Sequence, residues 1–335
     1  MTIPFFYPKS VLVIGVSSSP SNMGRNIVAN LVRWKYQGDI YLLGRKKDLI
    51  SDLPVETSFD NLPRDIDLAI ILAPAMSIPS HLEQCAKHGI LDVVIESGGF
   101  AESGVDDLDR RVLEITKKTG LRFIGPNGLG VISTSVGLVA PFIPIQSMPP
   151  AGSASVLAQS GGVGLILLQE FEKNGIGLDK FVSMGNKLSQ DEADLLPYLT
   201  SSRTACLYLE DVRRGRLFFD QIRRFDGTVI VQKANISPEG ARAAGTHTAA
   251  IATDDMVLDA SIRQAGAIRV DSMAEMIAVT QVSLLPKPRG KRLLILSRSG
   301  GHAVIVADIA SAAGFKLPPP GDDIAATVRG GARAG

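Results

Sequence analysis

The chain has 335 residues, a formal net charge of +1, and 45% hydrophobic but only 5% aromatic residues. That length suits two or three α/β domains, and the aliphatic bias suits parallel sheets buried between helices. The charge balance argues against nucleic acid or an anionic membrane as main partner, and no apolar run reaches the ~18 residues of a membrane span. The N-terminus lacks a signal-peptide core, and Cys85 and Cys206 sit in apolar contexts without metal-ligand spacing. The expectation is a cytoplasmic protein with free buried thiols and no metal site.

Residues 1 to about 148 alternate strands and helices. Apolar runs at Val11–Val16, Ile40–Leu43, Leu68–Ala73, Val93–Ile95 and Arg122–Ile124 predict strands. Helical patterns fall at about 24–36, 76–88 and 106–118. This alternation predicts a parallel sheet with right-handed crossovers, whose ligand lies beyond the carboxyl ends of the strands. Small or polar residues gather at those ends: Gly15, Ser17 and Ser18; Gly44 to Lys47; Ala73 and Pro74; Glu96 to Gly99; and Gly125 to Gly128. The turn after the first strand lacks G-x-G-x-x-G spacing, and the second strand ends in Arg45, Lys46 and Lys47 rather than an acid. A ligand with an extra phosphate, NADP or coenzyme A, fits better than NAD; a solvated basic turn is the plain alternative.

Pro141, Pro144, Pro149 and Pro150 mark a linker to a second unit, residues 149–288. It again reads strand, Gly-rich turn and helix, with further strands near 180–183, 205–209 and 228–231. Ser160, Gly161 and Gly162 open the first helix of that unit and leave free N–H groups at the positive end of its dipole, an anion cradle. A tight turn with an N-capping serine would look the same.

Between Lys233 and Asp254 run roughly twenty Gly-, Ala-, Ser- and Thr-rich residues without apolar periodicity, a length usually functional inside a compact domain. His247, one of four histidines, lies near the middle. An imidazole there suits a group carrier; a surface loop with a chance histidine is the alternative. Leu294–Leu317 then resembles Val156–Leu178, with Ser299-Gly300-Gly301 in place of Ser160-Gly161-Gly162. Residues 289–335 are therefore expected to start a third, incomplete domain with an open sheet edge, prone to association.

The order of these motifs resembles the NDP-forming acyl-CoA synthetases and the succinyl-CoA synthetase α subunit. The most specific piece is Glu239 to Ala249, EGARAAGTHTA, similar to the family's phosphohistidine loop. Gly125-Pro126-Asn127, Gln159 to Gly162, Ser183 to Lys187 and Tyr208-Leu209-Glu210 support it. Departures are Thr246-His247-Thr248-Ala249 for Ser-His-Thr-Gly and Gly128 for a cysteine.

The resemblance implies a Rossmann-like CoA-binding domain followed by flavodoxin-like, succinyl-CoA synthetase-like α/β domains. It implies an acid–CoA ligase working through an acyl phosphate and a phosphohistidine. His247 would accept the phosphoryl group, Glu210 would support it, and Ser160, Gly161 and Gly162 would hold phosphate. Gly15, Ser17, Ser18, Lys46, Ala73, Pro74, Glu96 and Asn127 would bind CoA. Without the resemblance, Glu210 reads as a solvated strand-end glutamate. The nucleotide, with Mg, would bind an ATP-grasp subunit or domain not readable here, in an oligomeric assembly. A non-catalytic CoA-sensing module and an NADP-linked oxidoreductase are the alternatives.

Overall fold

The computed structural model describes residues 4–100, 106–237, 239–240 and 255–331. β1 (Ser10–Val16), α1 (Gly24–Arg33), β2 (Asp39–Gly44), β3 (Asp48–Ile50), β4 (Leu53–Glu56), β5 (Leu68–Ile71), α2 (Ile78–His88), β6 (Asp92–Ile95), α3 (Asp106–Thr119) and β7 (Arg122–Ile124) form the first layered unit. Its sheet runs β3-β4-β2-β1-β5-β6-β7, parallel throughout except for the β3–β4 hairpin. With β4 as third strand this is the doubly wound order 3-2-1-4-5-6, which reverses direction at β1. The central strands β5 and β6 are buried along their whole length, which is why they read as unbroken apolar runs.

The second sheet takes β8 (Gly130–Ser133), β9 (Leu138–Val139), β10 (Ala151–Ala158), β11 (Leu178–Ser183), β12 (Thr204–Leu209), β13 (Thr228–Lys233) and β14 (Ile268–Val270). Helices α4 (Gly161–Lys173), α5 (Glu192–Leu195), α6 (Gly215–Arg224), α7 (Asp255–Ala265) and α8 (Met273–Leu284) connect or cover them. The order is β14-β13-β12-β10-β11-β8-β9. Its five parallel strands follow the flavodoxin-like order 2-1-3-4-5, with the switch point between β10 and β12.

One boundary differs from the sequence expectation. The strand–helix alternation places residues up to 148 in the first domain, whereas β8 and β9 extend the second sheet, β8 lying antiparallel to β11. An antiparallel edge added to a parallel sheet has no crossover helix, so the strand–helix alternation carries no trace of it. The buried Asn30 of α1 holds the linker that follows. Its Nδ2 donates to the carbonyls of Pro141 and Ile143, both at 2.8 Å, and its Oδ1 accepts from Ile145 N at 3.0 Å. Both sheets belong to one compact unit that ends at Leu284.

Residues 285–335 form a separate unit with α9 (Gly300–Ala312) and α10 (Asp322–Gly331). The anticipated helix after Ser299-Gly300-Gly301 is present, and Ser299 Oγ accepts from His302 N as its N-cap. The strand anticipated at its start is not; among the described residues only an isolated bridge joins Arg292 to Lys316. A strand needs sheet partners, and this segment has none among them.

Candidate functional site

A cleft of about 1320 Å³ opens beyond the carboxyl ends of β1, β2 and β5, where the first sheet reverses strand order. Gly15, Ser17, Ser18, Lys46, Ala73 and Pro74 line it, together with Arg45, Asp48, Phe59, His81 and Ser97. Gly15 has φ +97°, and a Cβ there would stand 2.1 Å from Leu72 O, so only glycine lets β1 turn into the cleft wall. The serine loop is pinned from below: Ser17 N donates to Asn22 Oδ1 at 3.2 Å, and Asn22 Nδ2 to Gly15 O at 2.9 Å. Ser18 N donates to Asp48 Oδ2 at 3.3 Å. Arg45 and Lys46 are exposed on the opposite wall without a hydrogen bond or ion pair among the described residues, whereas Lys47 is not part of the lining. His81 lies near Arg45, and burial followed by that charge lowers its pKa.

Two residues nominated for CoA lie elsewhere. Glu96 is 3% exposed and outside the cleft lining; its Oε1 lies 2.3 Å from where a Cβ on Gly130 would stand. Burial holds its pKa well above the usual carboxylate range, with the Phe142 backbone opposing. Its neighbour Ser97 takes the cleft position instead, its Oγ accepting from Ala73 N at 3.0 Å. Asn127 is exposed at the junction of the two sheets, where its Nδ2 donates to Asn186 Oδ1 at 3.3 Å. The missing cysteine at position 128 also has a steric counterpart. A Cβ on Gly128 would lie 2.6 Å from Ser183 O.

The second site sits at the switch point between β10 and β12. Ser160 stands two residues beyond the end of β10 and caps α4, its Oγ accepting from Val163 N at 3.4 Å. Gly161 and Gly162 begin the helix, so their N–H groups face outward at its positive end. Glu210, half-buried, follows the last residue of β12. Lys233 at the end of β13 donates through Nζ to Glu210 O at 2.8 Å and also to Ala234 O. Burial lowers the Lys233 pKa. The cradle and the carboxylate residue thus sit on neighbouring strand ends. His247 lies outside the described residues.

Beneath them is a charge cluster that the motif reading left unassigned. Lys187 Nζ lies 2.6 Å from Asp211 Oδ1 and 2.9 Å from Glu192 Oε2, and all three side chains are buried. Arg213 Nε donates to Asp211 Oδ2 at 3.0 Å. Only Lys187 was visible, as the last residue of the motif Ser183 to Lys187; its partners come from α5 and from the turn after β12. Among the described residues no group of three or more His, Cys, Asp or Glu side chains could hold a metal ion. No described helix is long and apolar enough to cross a membrane.

Residues 9–134 match the CoA binding domain family, and residues 151–283 match the succinyl-CoA ligase like flavodoxin domain. Over 93% of its length the chain is 35% identical to the acetate–CoA ligase (ADP-forming) I subunit alpha of Pyrococcus furiosus, covering 70% of that protein. This chain belongs to the ADP-forming acyl-CoA ligases. Another member, the acetate–CoA ligase (ADP-forming) II of Archaeoglobus fulgidus, is 38% identical over 94% of the chain. The chain spans 49% of that relative's length. Among solved ligase structures, the Korarchaeum cryptofilum dinucleotide-forming acetyl-coenzyme A synthetase 1, in complex with phosphate and ADP, superposes with a TM-score of 0.87. The match is 29% identical and covers 95% of this chain and 70% of that one.

Proposed function

We propose that this chain is the CoA- and acyl-handling part of an NDP-forming acid–CoA ligase, interconverting acyl-CoA, phosphate and NDP with carboxylate, CoA and NTP. The observation that carries the reading is the meeting of the Ser160–Gly162 cradle with Glu210 at one switch point, in a chain that also holds a large cleft. The cleft exceeds the ~300–1,000 Å³ usual for a small ligand and suits the length of CoA. Gly15, Ser17, Ser18, Ala73 and Pro74 let the cofactor's backbone approach, and Lys46 with Arg45 meets its phosphates.

Phosphate seated at Ser160, Gly161 and Gly162 attacks the thioester carbonyl carbon. A C–O bond forms, the C–S bond breaks, and CoA leaves as a thiolate that takes a proton from solvent. An imidazole nitrogen of His247 then attacks phosphorus in the acyl phosphate. The N–P bond forms, the P–O bond to the acyl group breaks, and the carboxylate departs. Glu210 accepts from the other imidazole N–H and offsets the positive charge on the ring. The phosphoryl group finally passes to NDP on an ATP-grasp component, where Mg would neutralise phosphate charge. Support for a component beyond these residues comes from the relatives: one is named a subunit alpha, and another is about twice the length matched here.

The test is carboxylate- and NTP-dependent thioester synthesis by this chain combined with an ATP-grasp component. CoA consumption that needs carboxylate, NTP and both components is the expected result. CoA binding without turnover would mark a sensing module, and tight NADP binding with nicotinamide turnover would mark an oxidoreductase; either overturns the reading.

A further inference from the structure

Gln159 stands between the last residue of β10 and the cap of α4, and it is 5% exposed. Its side chain crosses to the end of β12 instead of pairing within its own turn. Oε1 accepts from Glu210 N at 2.8 Å and from Asp211 N at 3.2 Å. Nε2 donates to Asp211 Oδ1 at 2.9 Å. The backbone adds a second tie, Gln159 N donating to Tyr208 O at 2.9 Å. Two N–H donors facing the oxygen and a carboxylate facing the nitrogen leave one orientation of the amide. Asp211 is itself fixed, through Lys187 and Arg213.

We infer that Gln159 is a positioning residue that keeps Glu210 in register with the phosphate cradle, and that the Lys187–Asp211 pair sets the orientation of its amide. The inference rests on the reading that Glu210 supports the phosphoryl-accepting histidine. Ser160, one residue on, opens the cradle, while the side chain of Gln159 holds the main chain of Glu210. A shift of either strand end is therefore passed to the other through one amide. Gln159 touches no substrate in this account; it acts through Glu210.

Gln159→Met keeps the length and removes both polar functions. Without an acceptor for the Glu210 and Asp211 N–H groups, the strand end relaxes. A misplacement of ~1 Å at such a site costs roughly 100-fold in rate. The expected result is a kcat at least about tenfold lower, with KM for phosphate and CoA changed less than about twofold. Gln159→Glu supplies a second readout. As a neutral acid it reproduces the amide, its carbonyl accepting from the two N–H groups and its O–H donating to Asp211. As a carboxylate it repels Asp211 and Glu210. Lys187 and Arg213 also face the position but are already engaged with Asp211. Its activity relative to wild type should therefore fall as pH rises, whereas the Gln159→Met defect should be flat with pH.

The experiment measures phosphate- and acyl-CoA-dependent NTP formation, and phosphoenzyme formation, in the chain assembled with its ATP-grasp component. A wild-type assembly without turnover would sink the function reading and the inference that rests on it. With an active wild type, three results overturn the inference. They are an unchanged kcat in Gln159→Met, a phosphate KM that rises as much as kcat falls, or a Gln159→Glu profile parallel to wild type. Should Gln159→Met fail to fold, the pH profile of Gln159→Glu decides alone.

Discussion

Lys187 Nζ contacts Asp211 Oδ1 at 2.6 Å and Glu192 Oε2 at 2.9 Å, one buried cation shared by two buried carboxylates. Burial alone would raise the Asp211 pKa, but the charge and hydrogen bond of Lys187, with Arg213, carry it below the ordinary value. Burial keeps Glu192 above its ordinary value despite Lys187. Removing the cation leaves buried Glu192 without a countercharge among the described residues and Asp211 with Arg213 alone. Lys187→Met is expected to destabilise by ~3–5 kcal/mol at neutral pH in urea unfolding. Acidification should narrow the gap, because protonation removes the uncompensated charge. A loss below ~1 kcal/mol would mean that water reaches the cluster.

Lys46 and Arg45 project from the cleft wall with no described partner, so their charge is available to a ligand. On the proposed reading, replacing Lys46 by alanine removes one charge-assisted phosphate contact, worth ~1–3 kcal/mol. Calorimetry should show CoA bound roughly tenfold to a hundredfold more weakly by Lys46→Ala. NADP should give no heat with either protein. Equal CoA affinities would remove Lys46 from the phosphate-binding set.

What the sequence disclosed follows the range of each signal. β5 and β6 were legible because strands buried on both faces are continuously apolar, and α4 because Ser160-Gly161-Gly162 announces a helix start. The β3–β4 hairpin was not anticipated. Its turn, Ser51-Asp52, takes φ of +50° and +64° without the Asn-Gly or Asp-Gly pair that usually signals such a turn. The site was legible in part. Strand-end positions located the cleft, but spacing does not say which way a strand-end side chain points. Glu96 turns inward toward Gly130, and its neighbour Ser97 reaches the cleft. The Lys187 cluster and the Gln159 tie were hidden because their partners meet only through the β10–β12 pairing and the α5 turn. Such pairs are set by tertiary packing and leave no local pattern.

Glu96 gives a stability prediction whose sign follows from burial. Its folded-state pKa is raised well above the ordinary value, so the folded chain holds a proton that the unfolded chain releases above about pH 4.3. Its contribution is therefore favourable at low pH and is lost as pH rises toward the folded pKa. Glu96→Gln removes that dependence. Thermal unfolding should find the variant more stable than wild type at pH 8, with the difference closing as pH falls to about 4.3. A wild-type advantage that grows with pH would mean that the carboxylate is ionised and paired in the folded protein.

The last prediction concerns His247, the residue proposed to carry the phosphoryl group. The cradle at α4 and the carboxylate residue Glu210 occupy neighbouring strand ends, and the chain leaves β13, through Lys233, toward His247. Lys233 and Gln159 both hold the Glu210 main chain. With labelled NTP and the ATP-grasp component, the chain should acquire a phosphoryl group that is labile in acid and stable in base. His247→Asn should abolish the label, since an amide cannot form the N–P bond. Glu210→Gln should lower its yield by roughly tenfold, the loss of one charge-assisted hydrogen bond of ~1.5 kcal/mol to the phosphorylated ring. Because Glu210→Gln leaves Ser160 to Gly162 untouched, phosphate affinity should stay within about twofold of wild type. A label that survives His247→Asn would move the acceptor to another residue, and an undiminished yield in Glu210→Gln would end the supporting role of the carboxylate.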